Sequence, residues 1–303
     1  MKKTIIILLI MAALLGAAPG CPASSPTGTG QKSIVVTYSV LGAVVRDLVG
    51  DAAAVTVSIP NGLDPHDWEP SAKNIEALNK ADLIVRNGLG LEGGMTKAIQ
   101  TAADGGVKLF TATDYIDIRY VGAGEGIPSG DPDQAIGTAD PHLWLDPVAM
   151  KSVVAALAAA LKDDLGLDVA GRARDMEDRL DSLDNEIAAT VAVIPQEDRK
   201  LVTGHESMGY FARRYGFKLV GVIIPSLSTE AAVSAADLAA LKKAIQDNQV
   251  RAIFTEIGTS AAVARTIGEE TGVKVVDLPT HTLPADGSYF TFMKNIAGIL
   301  TGA

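Results

Sequence analysis

Cysteine is almost missing from this chain: Cys21 is the only one in 303 residues, so no internal disulfide can form and packing alone must hold the fold. Long apolar runs are missing too. Beyond the first twenty residues no stretch is long enough to cross a membrane. Basic residues are outnumbered, 26 Lys and Arg against 36 Asp and Glu, for a net charge of -10. That balance excludes nucleic acid and anionic lipid as partners, because both demand a basic face. Histidine is scarce as well, with four in the whole chain.

What is present begins with an export signal. Met1-Lys2-Lys3 precedes an apolar run from Ile5 to Leu15, and small residues lead to Cys21, so residues 1–21 read as a signal ending at a lipidation site. Residues 22–31 form a Pro/Ser/Thr/Gly linker. Lipid anchoring through Cys21, or ordinary cleavage with an incidental cysteine, both place the protein outside the cytoplasm.

The remainder alternates β-branched runs with helical periods, which predicts an α/β protein with parallel sheets covered on both faces. An N-terminal α/β lobe is expected over 32–145, a helical brace over 146–195 and a C-terminal α/β lobe over 196–303. Each lobe is expected to hold a parallel four-stranded sheet. Within the first lobe, Ser71 is placed to cap a helix running to Lys80 with Ile75 and Leu78 inward. Within the brace, Ala173, Met176, Leu180, Leu183, Ile187, Val191 and Ile194 recur every three or four residues, the stripe of one long rigid helix. A Gly/Pro/Asp/Ser segment from Val121 to Ala139 reads as a surface loop, with Glu125, Asp131 and Asp133 as solvated acids.

Asp64-Pro65-His66-Asp67-Trp68 returns as Asp140-Pro141-His142-Leu143-Trp144. Proline fixes its own φ and restricts the residue before it, so each histidine leaves a stiff turn in a set direction. His66, His205 and His281 each follow a predicted strand at its carboxyl end, where open parallel sheets bind ligands. Two histidines come from each lobe. The four are therefore expected to meet on one metal ion in the interlobe cleft, and a nitrogen-rich set suits Zn²⁺ better than manganese or calcium. Glu206 and Glu256 are candidates for supporting a ligand histidine from behind.

These motifs, with Glu69-Pro70, Leu145-Asp146-Pro147, Gly209-Tyr210-Phe211-Ala212-Arg213-Arg214-Tyr215-Gly216 and Ile253-Phe254-Thr255-Glu256, carry a resemblance. The chain resembles the extracytoplasmic solute-binding proteins of zinc and manganese ABC transporters, solute-binding family 9, over nearly all of its mature length. The resemblance implies two lobes joined by one rigid helix, a single metal in the cleft, and delivery of that metal by a monomer to a membrane permease. It implies zinc over manganese, because the family's third ligand is histidine in zinc binders and here is His205. The family's fourth ligand is an aspartate after the last strand. Here the matching turn is Thr280-His281-Thr282-Leu283, so His281 takes that place, with Asp277 as the alternative. The histidine-rich loop of many zinc members has no counterpart. Some relatives also carry the label of adhesin, which nothing in this sequence tests.

The rival from another class is an exported zinc hydrolase, with His66, His142 and His205 leaving one position open for water and Glu206 as base. A site of four histidines is expected to lose its metal steeply below about pH 6, since free imidazole titrates near 6.5.

Overall fold

Eight strands and nine α-helices alternate along the described part of the chain. A computed structural model describes residues 30–123, 125 and 135–303. The export signal, Cys21, Asp131 and Asp133 lie outside the described residues.

In the first lobe, β1 (Lys32–Tyr38), β2 (Ala53–Ile59), β3 (Leu83–Arg86) and β4 (Lys108–Thr111) form one parallel sheet in the order β2-β1-β3-β4. Ile34, Val36, Leu83 and Val85 are wholly buried in it, as expected of a sheet with helices on both faces. Helices α1 (Ser39–Val49), α2 (Ala72–Lys80) and α3 (Thr96–Asp104) make the crossovers. Ser71 caps α2 by accepting from the Asn74 N–H, and Asn74 returns the bond in a capping box. Leu78 faces inward, but Ile75 does not: it is exposed, because α2 is short and lies on the sheet along a narrow strip. The chain order switches sides at β1, so the carboxyl ends of β1 and β3 open a crevice.

The brace is a helical hairpin. Asp146 caps α4 (Pro147–Leu165) through the Val148 N–H, with Pro147 at the first helical position, where a missing N–H costs nothing. Gly166 ends that helix in the left-handed conformation. The following helix, α5 (Ala170–Val191), buries the periodic stripe from Ala173 to Val191 and spans about 33 Å at 1.5 Å per residue. Ile194 falls beyond the helix end and is only half-buried. The last helix, α9 (Tyr289–Gly302), returns from the second lobe and packs on α5.

In the second lobe, β5 (Lys200–Thr203) pairs in parallel with β6 (Lys218–Val222), and β7 (Ala252–Thr255) with β8 (Lys274–Asp277). Strands β5 and β7 lie side by side, so the spatial order β6-β5-β7-β8 repeats that of the first lobe. The expected four-stranded sheet is here two ribbons, with no ladder between β5 and β7. Strands of four residues offer few pairing positions, and the register shift between Leu201 and Val202, which skips Val220, bulges β6 where it pairs with β5. The helices of this lobe are α6 (Gly209–Tyr215), α7 (Ala235–Asp247) and α8 (Ala261–Thr271); a small core of Val202, Ile223, Leu241, Ile245, Ile253 and Ile267 lies on its outer side, while Leu201, Phe211, Ala252 and Phe254 join the larger core of the first lobe and the brace.

Side chains near the cleft tie the lobes together. Asn61, in the turn after β2, donates from Nδ2 to the Leu283 carbonyl at 3.0 Å and accepts from the Leu283 N–H at 2.8 Å. Trp144 Nε1 donates to the Thr280 carbonyl, and Tyr289 Oη to the Trp144 carbonyl, both at 2.8 Å.

Candidate metal centre

The two Asp-Pro-His turns are the same local structure. In each, the aspartate Oδ1 accepts the histidine's own backbone N–H two residues on, at 3.0 Å for Asp64 and His66 and 2.9 Å for Asp140 and His142. The proline between them is pre-set for this turn. The copies diverge beyond it. Trp144 is fully buried, its ring 5.2 Å from that of His142 and 5.1 Å from that of His281, whereas Trp68 is half-buried at the edge of the first core.

His205 leaves the carboxyl end of β5, and His281 leaves a tight turn after β8 in which the Thr280 N–H bonds the Leu278 carbonyl at 2.8 Å. All four histidines are buried, and each offers a nitrogen such that all four atoms lie within 4.8 Å of one another. Nε2 of His142 is 3.3 Å from that of His66 and 3.2 Å from that of His205. Four nitrogens held at 2.0–2.1 Å from a zinc ion in a tetrahedron are separated by about 3.3–3.4 Å along each edge. The two spacings from His142 match such an edge, and the remaining pairs lie within 4.8 Å. Lone pairs facing each other at this range repel unless a cation or proton lies between them. Asp277 is exposed at the end of β8 and does not join the group.

Behind the imidazoles stand carboxylates. His142 Nδ1 donates to Asp140 Oδ1 at 2.8 Å, which leaves the lone pair of Nε2 free to bind a metal. The second Asp140 oxygen accepts from Arg119 Nη1 at 2.9 Å, and Arg119 also pairs with Glu125. Gly209 lies against this pair: a Cβ there would fall 2.3 Å from Arg119 Nη1 and 2.4 Å from Asp140 Oδ2.

Glu256, just beyond β7, organises the other half. Its Oε1 accepts the His205 backbone N–H at 3.0 Å and sits 3.0 Å from His205 Nδ1. Ser207 Oγ reaches both of its oxygens, and Thr280 Oγ1 donates to Oε2. Since the Thr280 proton is given to Glu256, His281 Nδ1 donates to Thr280 Oγ1 at 2.9 Å, and the buried His281 Nε2 is left to face the group. Imidazoles fixed this way have a set tautomer and a raised donor strength. Glu206 is buried beside His205, its N–H bonded to the Ser226 carbonyl at 3.0 Å.

Burial, and then the charge of neighbouring imidazoles, holds His66, His142 and His281 well below the ordinary histidine value, so all three are neutral at pH 7. His205 is the exception. Burial is the largest influence and lowers it, but the carboxylates of Glu256, Asp64 and Glu206, Glu256 foremost, together lift it above its usual value, while Glu256 itself is held down to about 2. Burial pushes Asp140 up to about 6 against the pull of Arg119. The proton that competes with a metal near neutral pH therefore belongs to His205. Affinity should fall from neutrality downward with the slope of the one His205 proton, roughly tenfold per pH unit at most, and more steeply below about pH 6, where Asp140 behind His142 also takes up a proton. Calorimetry in buffers of different ionisation heat should count about one proton released per metal at pH 6.5. A count of three or four would contradict this assignment.

Arg119, Ser207 and Thr280 are the supporting residues that the sequence did not single out. Thr280 stands next to a candidate ligand and could have been found on that ground. For Arg119, 21 residues before Asp140, the sequence carries no signal.

Residues 34–303 match the family model described as "ZnuA: Zinc-uptake complex component A periplasmic". The manganese-binding lipoprotein MntA of Halalkalibacterium halodurans is 28% identical, over 97% of this chain and 96% of its own length. The high-affinity zinc uptake system protein ZnuA of Bacillus subtilis is 30% identical, over 90% of this chain and 87% of its own. Among solved structures, the periplasmic zinc binding protein TroA of Treponema pallidum superposes with a TM-score of 0.78 at 23% identity, over 90% of this chain and 99% of that one. At that identity the likeness speaks for the fold alone.

Proposed function

Because this chain belongs to the family of periplasmic zinc-uptake A components, the metal-binding proteins of ABC transporters and not enzymes, we propose that its cargo is zinc, held by His66, His142, His205 and His281. The carrying observation is the donor set. Four buried imidazole nitrogens within 4.8 Å of one another suit Zn²⁺, whereas manganese takes oxygen-rich, higher-coordinate sites. Asp140 and Glu256 add two negative charges one bond behind the ligands, matching the double charge of the ion. His281 occupies the position that a hydrolase would leave to water.

The family contains relatives named for manganese as well as for zinc, so the cargo is decided by this chain's own residues. The protein works outside the cytoplasm as a monomer, anchored through a lipid on Cys21, and gives up its ion to a membrane permease that parts the lobes. Among the described residues no helix is long and apolar enough to cross a membrane. Competition between Zn²⁺ and Mn²⁺ for the metal-free protein tests the cargo. Zinc is expected to win by about 10³-fold or more, as first-row affinities for nitrogen sites run. Comparable affinities would point to an oxygen-richer site and overturn the proposal.

A further inference from the structure

Leu89 has a backbone that leucine rarely adopts. Its φ is +54°, between Gly88 at +100° and Gly90 at +80°. Strain of this kind persists only where the surroundings enforce it, and here they do. Glu92 Oε1 accepts from the Asn87 N–H and from Thr37 Oγ1, both at 2.6 Å. Asn87 Nδ2 donates to the Pro141 carbonyl at 2.8 Å, which ties the loop to the turn that carries His142. Gly88 cannot be replaced to relax it, because a Cβ there would fall 2.3 Å from Thr113 Oγ1. The loop thus holds an apolar side chain, 38% exposed, in a fixed place.

That place is the wall of a cavity of about 160 Å³, lined by His66, Leu89, Gly90 and Pro141 on one side and by Leu227 and Ser228 from the second lobe on the other. His66 is the least deeply buried of the four histidines, at 6% exposure. The cavity therefore runs along the seam between the lobes and ends at the metal group.

We infer that Leu89 is the kinetic gate of the metal site: with Leu227 it forms the apolar part of a neck, completed by Thr138 and Ser228, through which the ion passes to and from His66. The apolar part offers a hydrated cation no replacement for its water, so it slows entry and escape by the same factor and leaves the affinity unchanged. This rests on the zinc reading above and adds the route to it.

The full-length protein tests the inference by stopped-flow. Loading is followed by mixing metal-free protein with Zn²⁺, and release by mixing zinc-loaded protein with excess chromogenic chelator, for wild type, Leu89→Gly and Leu89→Ala. Glycine removes both side chain and strain; alanine removes the side chain and keeps the strain. Both variants are expected to load and release faster by about tenfold or more, with Kd within about threefold of wild type. Unchanged rates would overturn the gate. So would faster release alone with a matching loss of affinity, or an effect of glycine without one of alanine, since these report packing or loop flexibility instead. Wild type that takes up no zinc would instead sink the zinc reading beneath it.

Discussion

Glu256→Ala is expected to cost the metal-free fold about 3–5 kcal/mol, the range for breaking a buried charged pair, and to weaken zinc binding by a further 10–100-fold. One carboxylate, 5% exposed, takes the His205 N–H, Ser207 Oγ and Thr280 Oγ1, lies 3.0 Å from His205 Nδ1, and through Thr280 also sets His281. Alanine leaves all of these donors without an acceptor in a place that water does not replace cheaply. The two effects are separable. Urea unfolding of metal-free protein reads the first, and chelator competition on the folded variant reads the second. Glu256→Gln should restore part of the stability but little of the affinity, because an amide accepts hydrogen bonds without supplying negative charge behind the ion. It should also lower the His205 pKa, since burial stays and the carboxylate that opposes it is gone. Loss of stability without any loss of affinity would mean that Glu256 serves the fold and not the site.

Much of this arrangement was legible in the sequence, and the parts that were not share a cause. Strands β5 to β8 lie on their short apolar runs, because four- or five-residue runs bounded by polar and turn residues leave little else to be. The paired Asp-Pro-His turns announced themselves because the turn is local: aspartate, proline and histidine make it among themselves. Distance defeats that kind of reading. Asn61 meets Leu283 across 222 positions, and Trp144 meets Thr280 across 136. Arg119 enters the site only because α6 and the Asp140 turn come together around Gly209. The helical periodicity of α3 extends in sequence back to Glu92, yet α3 begins at Thr96, and Glu92 is a buried carboxylate pinning the Leu89 loop. Helical periodicity cannot distinguish a first turn from a loop that a carboxylate holds. Ile75 failed for a related reason, since a nine-residue helix shows too few turns to fix which face is inward.

His281→Ala is expected to weaken zinc binding by about 10²- to 10³-fold, roughly a quarter of the 10–16 kcal/mol that a four-ligand zinc site supplies, while stoichiometry stays at one. The position is fixed on every side. The turn is closed by the Thr280 N–H, its exit is clasped by Asn61 at Leu283, and the imidazole is oriented by Thr280. Removing the ring leaves a cavity that water can enter, so three histidines and a water remain, and the site should become open to small anions. Asp277 lies exposed at the strand end, four residues earlier. The most direct test of the whole account is therefore a zinc competition titration of wild type, His281→Ala and Asp277→Ala side by side. The four-histidine site predicts a loss of two to three decades for His281→Ala and wild-type affinity for Asp277→Ala. Full affinity in His281→Ala with a loss in Asp277→Ala would contradict it.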